Sequence, residues 1–239
     1  MAPLTPKILY EDKDVLVLNK PAGLLTHEIK AHPSGKTLVD WLVKKYPAIK
    51  KVGDDPESRP GIVHRLDKET SGVIVVAKNQ KAFEFLKGQF RARKVRKTYL
   101  TLAWGQFKMR SGIIEKPIGI KPGTLKRTVK IDPETKLVKE AKTIYRVKQE
   151  IGPYSLLEVE PLTGRTHQIR VHLASIKHPV VGDLLYSQRA RPKGLKRLFL
   201  HAQNIEITLP NGKRGKFTAE PPQDLDLKIF GTANPEKKR

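Results

Sequence analysis

Two short apolar runs, residues 8–10 and 15–18, open the chain on either side of the charged Glu11-Asp12-Lys13-Asp14. That is the pattern of two strands joined by a turn. Asn19-Lys20-Pro21-Ala22-Gly23 breaks the second strand and leaves Lys20 at its end, where a solvated surface lysine is the plain expectation. In residues 37–46, Leu38, Trp41, Leu42 and Tyr46 recur at helical spacing. A helix with Trp41 in the core is expected there, stopped by Pro47. Asn79 is placed to cap a second helix, reaching Arg93 with Phe83, Leu86 and Phe90 on its inner face. Residues 98–104, 141–149, 154–159, 198–209 and 216–219 read as strands. Between Ile113 and Ile131, Gly and Pro interrupt any period, and only short strands or a long hairpin are expected. Thr166 is placed to cap a third helix through Ser175, with Ile169 and Leu173 inward and His167 and Arg170 sharing a face. Strands outnumber helices without βαβ regularity. The expected class is α+β, with a large mixed or mostly antiparallel sheet flanked by a few helices.

Residues 61–79, GIVHRLDKETSGVIVVAKN, interrupt this pattern with chemistry. Ile62-Val63 and the β-branched run 73–77 read as two buried strands around a short charged loop. Gly72 allows a sharp return into the second strand, and Thr70 and Ser71 offer hydroxyls to the turn's own backbone. Asp67 then has two readings. It caps the turn through an Asx-type hydrogen bond, or it is a carboxylate held by the strands as nucleophile or base. The local pattern leaves both open.

Composition changes the picture through charge. The 239 residues carry 47 Lys+Arg against 24 Asp+Glu, a formal net charge of +23. Such a field attracts polyanions, so nucleic acid is the expected partner. Arg91, Arg93, Lys94, Arg96 and Lys97 form the densest run, a candidate phosphate contact as well as a complement to a helix C-terminus. With 38% hydrophobic residues the chain can build a core, as one large domain or two small ones. There is no apolar run of membrane-spanning length and no signal-peptide core, so a cytoplasmic protein is expected. Cysteine is absent, which excludes disulfides, thiolate metal sites and cysteine nucleophiles. His27 and His32 match no metal spacing, and His167 and His172 miss the i, i+4 spacing of helical zinc pairs. Neither a phosphate-binding G-x-x-x-x-G-K loop nor a dinucleotide G-x-G-x-x-G is present, so no nucleotide cofactor is expected.

Two stretches taken together bear on the role of Asp67. HRLDKETSG at residues 64–72 and LTGRTHQIRVHLA at 162–174 resemble the RluA family of pseudouridine synthases. NKPAG at 19–23, KTYL at 97–100, HPVVGDLLY at 178–186 and FLHAQNI at 199–205 fall in the family's order. The resemblance covers residues 8–220 and implies the pseudouridine synthase fold, with an active-site cleft across the sheet. It implies isomerisation of uridine to pseudouridine in ribosomal or transfer RNA, without metal or cofactor. By position it makes Asp67 the catalytic carboxylate, Tyr99 the aromatic residue against the target base and Arg165 the basic partner of the aspartate. It also makes Arg65 the residue that fills the gap left by the extruded base. His64, Lys20, Thr166, His167 and Arg170, in the same motifs, are expected to contact the RNA. Family members often carry an S4-type RNA-binding module before the catalytic domain. Here residues 1–231 are expected to be the catalytic domain alone, as a monomer, with 232–239 a frayed tail.

Rival readings use less of the sequence. A non-catalytic basic RNA-binding protein or RNA chaperone accounts for the charge and leaves the Asp67 and Arg165 stretches idle. A hydrolase built on Ser71 with His64 or His167 lacks the G-x-S-x-G elbow.

Overall fold

The computed structural model describes residues 4–28, 37–124 and 126–231. His32 and the tail from residue 232 lie outside them. In chain order the elements are β1 (Lys7–Glu11), β2 (Val15–Lys20), α1 (Leu38–Lys45), β3 (Ser71–Ala77), α2 (Gln80–Arg91), β4 (Arg96–Trp104), β5 (Ser111–Glu115), β6 (Ile118–Ile120), β7 (Arg127–Thr128), β8 (Lys136–Lys139), β9 (Lys142–Ile151), β10 (Tyr154–Pro161), α3 (Gln168–Ser175), β11 (Leu200–Thr208), β12 (Arg214–Thr218) and α4 (Lys228–Gly231). Strands of known register pair antiparallel throughout, as the α+β reading expects. The chain forms two compact units, residues 1–97 with 202–220, and 98–201 with 221–239.

In the first unit β2 lies between β1 and β3, and β11 carries β12 on its outer edge. Every residue of β3 is buried, which is why residues 73–76 are a continuous β-branched run with no alternation. α2 packs on β3 and buries Ala82, Phe83 and Leu86. Its N-cap is Asn79, whose side chain accepts the N–H of Ala82. The amide of Gln89 replaces a missing strand partner: it accepts from Thr208 N at 3.0 Å and donates to Thr208 O at 2.7 Å. Gly72 is required by contact as well as by its φ of 115°, since a Cβ there would strike the backbone carbonyl of Ala202.

Three expectations need correction in this unit. α1 starts after a Thr37–Asp40 capping box and buries Leu38, Val39 and Leu42. Trp41 is only half-buried, beside Tyr46 and under the ammonium of Lys45, because it sits at the margin of that narrow stripe. Ile62-Val63 contributes a single bridge, Ile62 to Val76, and no strand. Lys20 is not a solvated surface lysine; it is fully buried.

In the second unit the strand order is β4-β10-β9-β5, with a separate three-stranded sheet ordered β7-β6-β8. One core joins Ala103, Leu157, Val159, Ile169, Leu173, Leu198 and Leu200, with Tyr99 packed against it. A second core holds Leu102, Leu156, Phe199, Leu225 and Phe230. The third helix does not begin as the sequence suggests. Its cap is His167, with φ 56° and ψ 18°, so His167 lies before the helix and does not share its face with Arg170. Thr166 is one residue too early. The turn is held instead by Gln168, whose Oε1 accepts both Thr163 Oγ1 and Arg165 N.

Candidate active site

The first unit carries Lys20, His64, Arg65 and Asp67. Asp67 is half-buried at the start of a tight turn. That turn closes backbone to backbone, from Thr70 N to Asp67 O at 3.1 Å. The Thr70 hydroxyl, expected to help close it, is buried with no hydrogen-bond partner. The main chain on either side of Asp67 is clamped. Before it, Thr26 Oγ1 donates to Leu66 O at 2.9 Å and accepts Leu66 N at 3.3 Å. After it, Lys68 O accepts Gly23 N at 2.8 Å and the ammonium of Lys20 at 3.4 Å. Lys20 also donates to Leu24 O at 2.8 Å and Pro21 O at 3.0 Å. A buried ammonium is tolerated because its N–H groups find carbonyls. The chemistry of NKPAG is thus to bind the loop of Asp67 to the end of β2.

His64 is tied in the same way. Its Nε2 accepts the N–H of Val75 at 2.9 Å, and its ring stacks on Phe90 with centroids 4.7 Å apart. An acceptor Nε2 is unprotonated. Burial, with the nearby charge of Lys97, pushes the His64 imidazole down to about 3. Arg65 points to the exposed side, 3.4 Å from His27 Nε2. Burial first, and then the charge of Arg65, hold the His27 imidazole below its ordinary range.

The second unit carries Tyr99, Arg165, Thr166, His167 and Arg170. Tyr99 lies on β4 opposite Val159 of β10. Arg165 follows β10, its N–H on Gln168 and its Nε donating to Glu140 O at 3.0 Å. Gln168, nearly fully buried, also donates to Lys142 O and Thr143 Oγ1. Thr143 Oγ1 in turn lies 2.8 Å from His172 Nδ1, while His172 Nε2 donates to Lys116 O at 3.0 Å. His172 is therefore neutral with its proton on Nε2, and burial holds its imidazole low. Thr166 sits half-buried between Arg165 and the cap residue. His167 Nδ1 is 2.9 Å from Tyr186 Oη, which also accepts Arg127 N at 2.9 Å.

Arg170 is committed to structure. It forms a bidentate ion pair with Asp183, at 2.7 and 2.9 Å, and its guanidinium lies over the ring of Tyr186. Burial works to raise the Asp183 carboxyl, but Arg170 and the N–H groups of Leu185 and Tyr186 outweigh it and hold it below the usual range. The sequence reading did not assign Thr26, Glu140 or Gln168. Gln168 lies inside the second motif and had a signal there; Thr26 and Glu140 act through a small hydroxyl and a backbone carbonyl, which carry none.

The model of the family described as RNA pseudouridylate synthase matches residues 14–175. An uncharacterized RNA pseudouridine synthase of Chloroflexus aurantiacus is 43% identical over 210 residues, covering 87% of this chain and 64% of that protein. The ribosomal large subunit pseudouridine synthase D of Borreliella burgdorferi is 38% identical, with 90% of this chain and 65% of that protein covered. The chain thus spans less than two thirds of the length of each. Among solved structures, human RNA pseudouridylate synthase domain containing 4 matches with a TM-score of 0.74 at 26% identity, covering 94% of this chain and 92% of that one. Among the described residues, no helix is long and apolar enough to cross a membrane. With its matched region running from β2 to the end of α3, through both motifs, the chain belongs to the RNA pseudouridylate synthase family.

Proposed function

We propose that the protein isomerises uridine to pseudouridine in ribosomal or transfer RNA, with Asp67 as the catalytic carboxylate. The observation that carries this reading is the main-chain clamp around Asp67. A side chain that only capped its turn would not need neighbours fixed from β2 and from the Thr26 loop. The reaction breaks the N1–C1′ bond, turns the base and joins C5 to C1′. The C5 proton leaves and N1 gains one, so the reaction has no net stoichiometry beyond isomerisation. The target base must leave its stack, at a cost of a few kcal/mol. Stacking on Tyr99 would return about 1–3 kcal/mol of that. Arg65, exposed beside His27, is suited to fill the gap in the stack. Arg165 is assigned as the basic partner of Asp67, on the strength of its place in the second motif. His64 and Lys20 in the first unit, and Thr166, His167 and Arg170 in the second, belong to the same motifs. Of them Lys20 and His64 hold the segment of Asp67, and Arg170 holds Asp183, through the hydrogen bonds described above.

The net charge of +23 supports RNA as the partner, and we assign the active form as a cytoplasmic monomer. The test is tritium release from RNA labelled at uridine C5, comparing wild type with Asp67→Ala on transfer and ribosomal RNA separately. Release by the wild type alone supports the assignment. Tight RNA binding without release from either RNA would favour a binding protein instead.

A further inference from the structure

The three-stranded sheet of the second unit serves none of the roles above, and its outermost strand is unusual. All residues of β8 are exposed, including Leu137 at 71% and Val138 at 41%. β8 meets β6 at Ile118–Lys139 and Ile120–Lys136, with a register shift between. Leu137 and Val138 therefore stand against the single residue Gly119, as in a β-bulge. Leu137 has a φ of 50°, the left-handed region that a bulky side chain avoids. Strain of this kind persists where the surroundings impose it, and it clusters at functional positions. Here its effect is to hold a leucine out in water.

The surroundings of that leucine are cationic. Residues 118–139 hold six Lys and Arg against two acids, and Lys121, Lys126, Lys130, Lys136 and Lys139 are all exposed. One of the acids, Asp132, is engaged by the hydroxyl of Thr135 at 2.6 Å. The opposite side of the sheet is anchored: Ile118 is buried with Ala141 and Val171 of α3, and Tyr186 accepts Arg127 N. Directly after β8, the carbonyl of Glu140 receives Arg165. An apolar tip flanked by Lys136 and Lys139, on a sheet with further exposed lysines and a base fixed to the second motif, fits a partner with phosphates around a ribose or base face.

We propose that β8 is an RNA-docking surface, with Leu137 covering a ribose or base face and the flanking lysines contacting phosphates. The proposal rests on RNA being the substrate. The shallow minor groove and unpaired loops of RNA offer such faces. A neutral protein partner would match the leucine and leave the lysines without counter-charge.

The absence of cysteine supplies the test, because Leu137→Cys introduces a unique thiol. Its reaction rate with Ellman's reagent is measured with and without ribosomal or transfer RNA. Asn211→Cys, at the exposed turn between β11 and β12, serves as control. Bound RNA is expected to slow the thiol at position 137 on the order of tenfold, and not the one at 211, because a covered thiol reacts only when the complex opens. Leu137→Gly, which suits the left-handed φ and so keeps the fold, is expected to weaken RNA binding about fivefold to tenfold. Lys136→Ala with Lys139→Ala should lower the slope of log Kd against log salt by about 1.4–1.8. Equal reactivity at 137 with and without bound RNA overturns the proposal, as does protection by inorganic polyphosphate equal to that by RNA. Tritium release with an unprotected thiol sinks the docking surface and leaves the activity standing. Protection without release supports the surface and sinks the activity.

Discussion

His64 accepts the N–H of Val75 through Nε2 at 2.9 Å, which ties the residue three before Asp67 to the middle of the strand that follows it. The bond exists only while the imidazole is neutral. With the folded imidazole pushed down to about 3 and the unfolded one near 6.5, only the unfolded chain takes up this proton between those values. The contribution of His64 is therefore full above about pH 6.5 and is lost as pH falls towards about 3, at up to about 1.4 kcal/mol per pH unit. His64→Phe keeps the stack on Phe90 but orphans the Val75 N–H, at about 1–3 kcal/mol. Urea unfolding between pH 7 and 4 should show a flatter pH dependence in that variant. An unchanged slope would mean that His64 is not the titrating group.

Thr26 is a positioning residue by the same logic. It pairs with both backbone groups of Leu66, and Leu66 is buried. Thr26→Val has nearly the same shape and satisfies neither group, so a loss of about 1–3 kcal/mol of stability is expected. Displacing the adjacent carboxylate should lower kcat about tenfold to a hundredfold, with Kd for RNA unchanged. Thr26→Ser should restore both. A variant that loses only stability would leave Thr26 with a structural role alone.

These two residues also mark what the sequence made legible. Strong periodicity and capping residues placed β2, β3, α1 and α2 within a residue or two of their observed ends. The motifs placed Asp67 on a loop before a buried strand. What the pattern missed were side chains whose environment inverts their usual habit. Lys20 is a cation in the core, held by carbonyls from segments far apart in the chain. His167 is a non-glycine residue in a left-handed conformation, uncommon even for histidine, and the helical period of its motif gave no sign of it. Ile62-Val63 has the composition of a strand and forms only a bridge, because pairing depends on neighbours that local pattern does not contain.

The Arg170–Asp183 pair should dominate the stability of the second unit. Both side chains are almost fully buried, at 9% and 0% exposed. Asp183 also receives the N–H groups of Leu185 and Tyr186. Arg170→Ala leaves an uncompensated buried carboxylate and should cost about 3–5 kcal/mol, read as a fall in Tm and in the urea midpoint. An effect under about 1 kcal/mol would place the pair with ordinary surface ion pairs.

RNA affinity should fall steeply with salt. Each phosphate neutralised contributes about 0.7–0.9 to the slope of log K against log salt. Several contacts should then weaken binding by about two to three orders of magnitude between about 50 and 200 mM. A flat response in a filter-binding titration would remove the electrostatic argument for RNA.

The decisive substitution is Asp67→Ala, because the geometry separates its effects. The bond that closes the turn uses the Asp67 carbonyl, which alanine retains. The clamps at Leu66 and Lys68 hold backbone groups through the side chains of Thr26 and Lys20, which the substitution also leaves in place. The fold should therefore be retained, with a stability loss within the ordinary range of about 0.5–3 kcal/mol for a single substitution. RNA binding, carried by cations and aromatic contacts, should stay within about threefold, as expected where the removed group is not a phosphate or stacking contact. Product formation should vanish. A variant that fails to fold would instead mean that the carboxylate is a structural cap, the first of the two readings the local sequence allowed. A folded variant with tritium release within about tenfold of wild type, a barrier change of only about 1.4 kcal/mol, would move the chemistry to another residue.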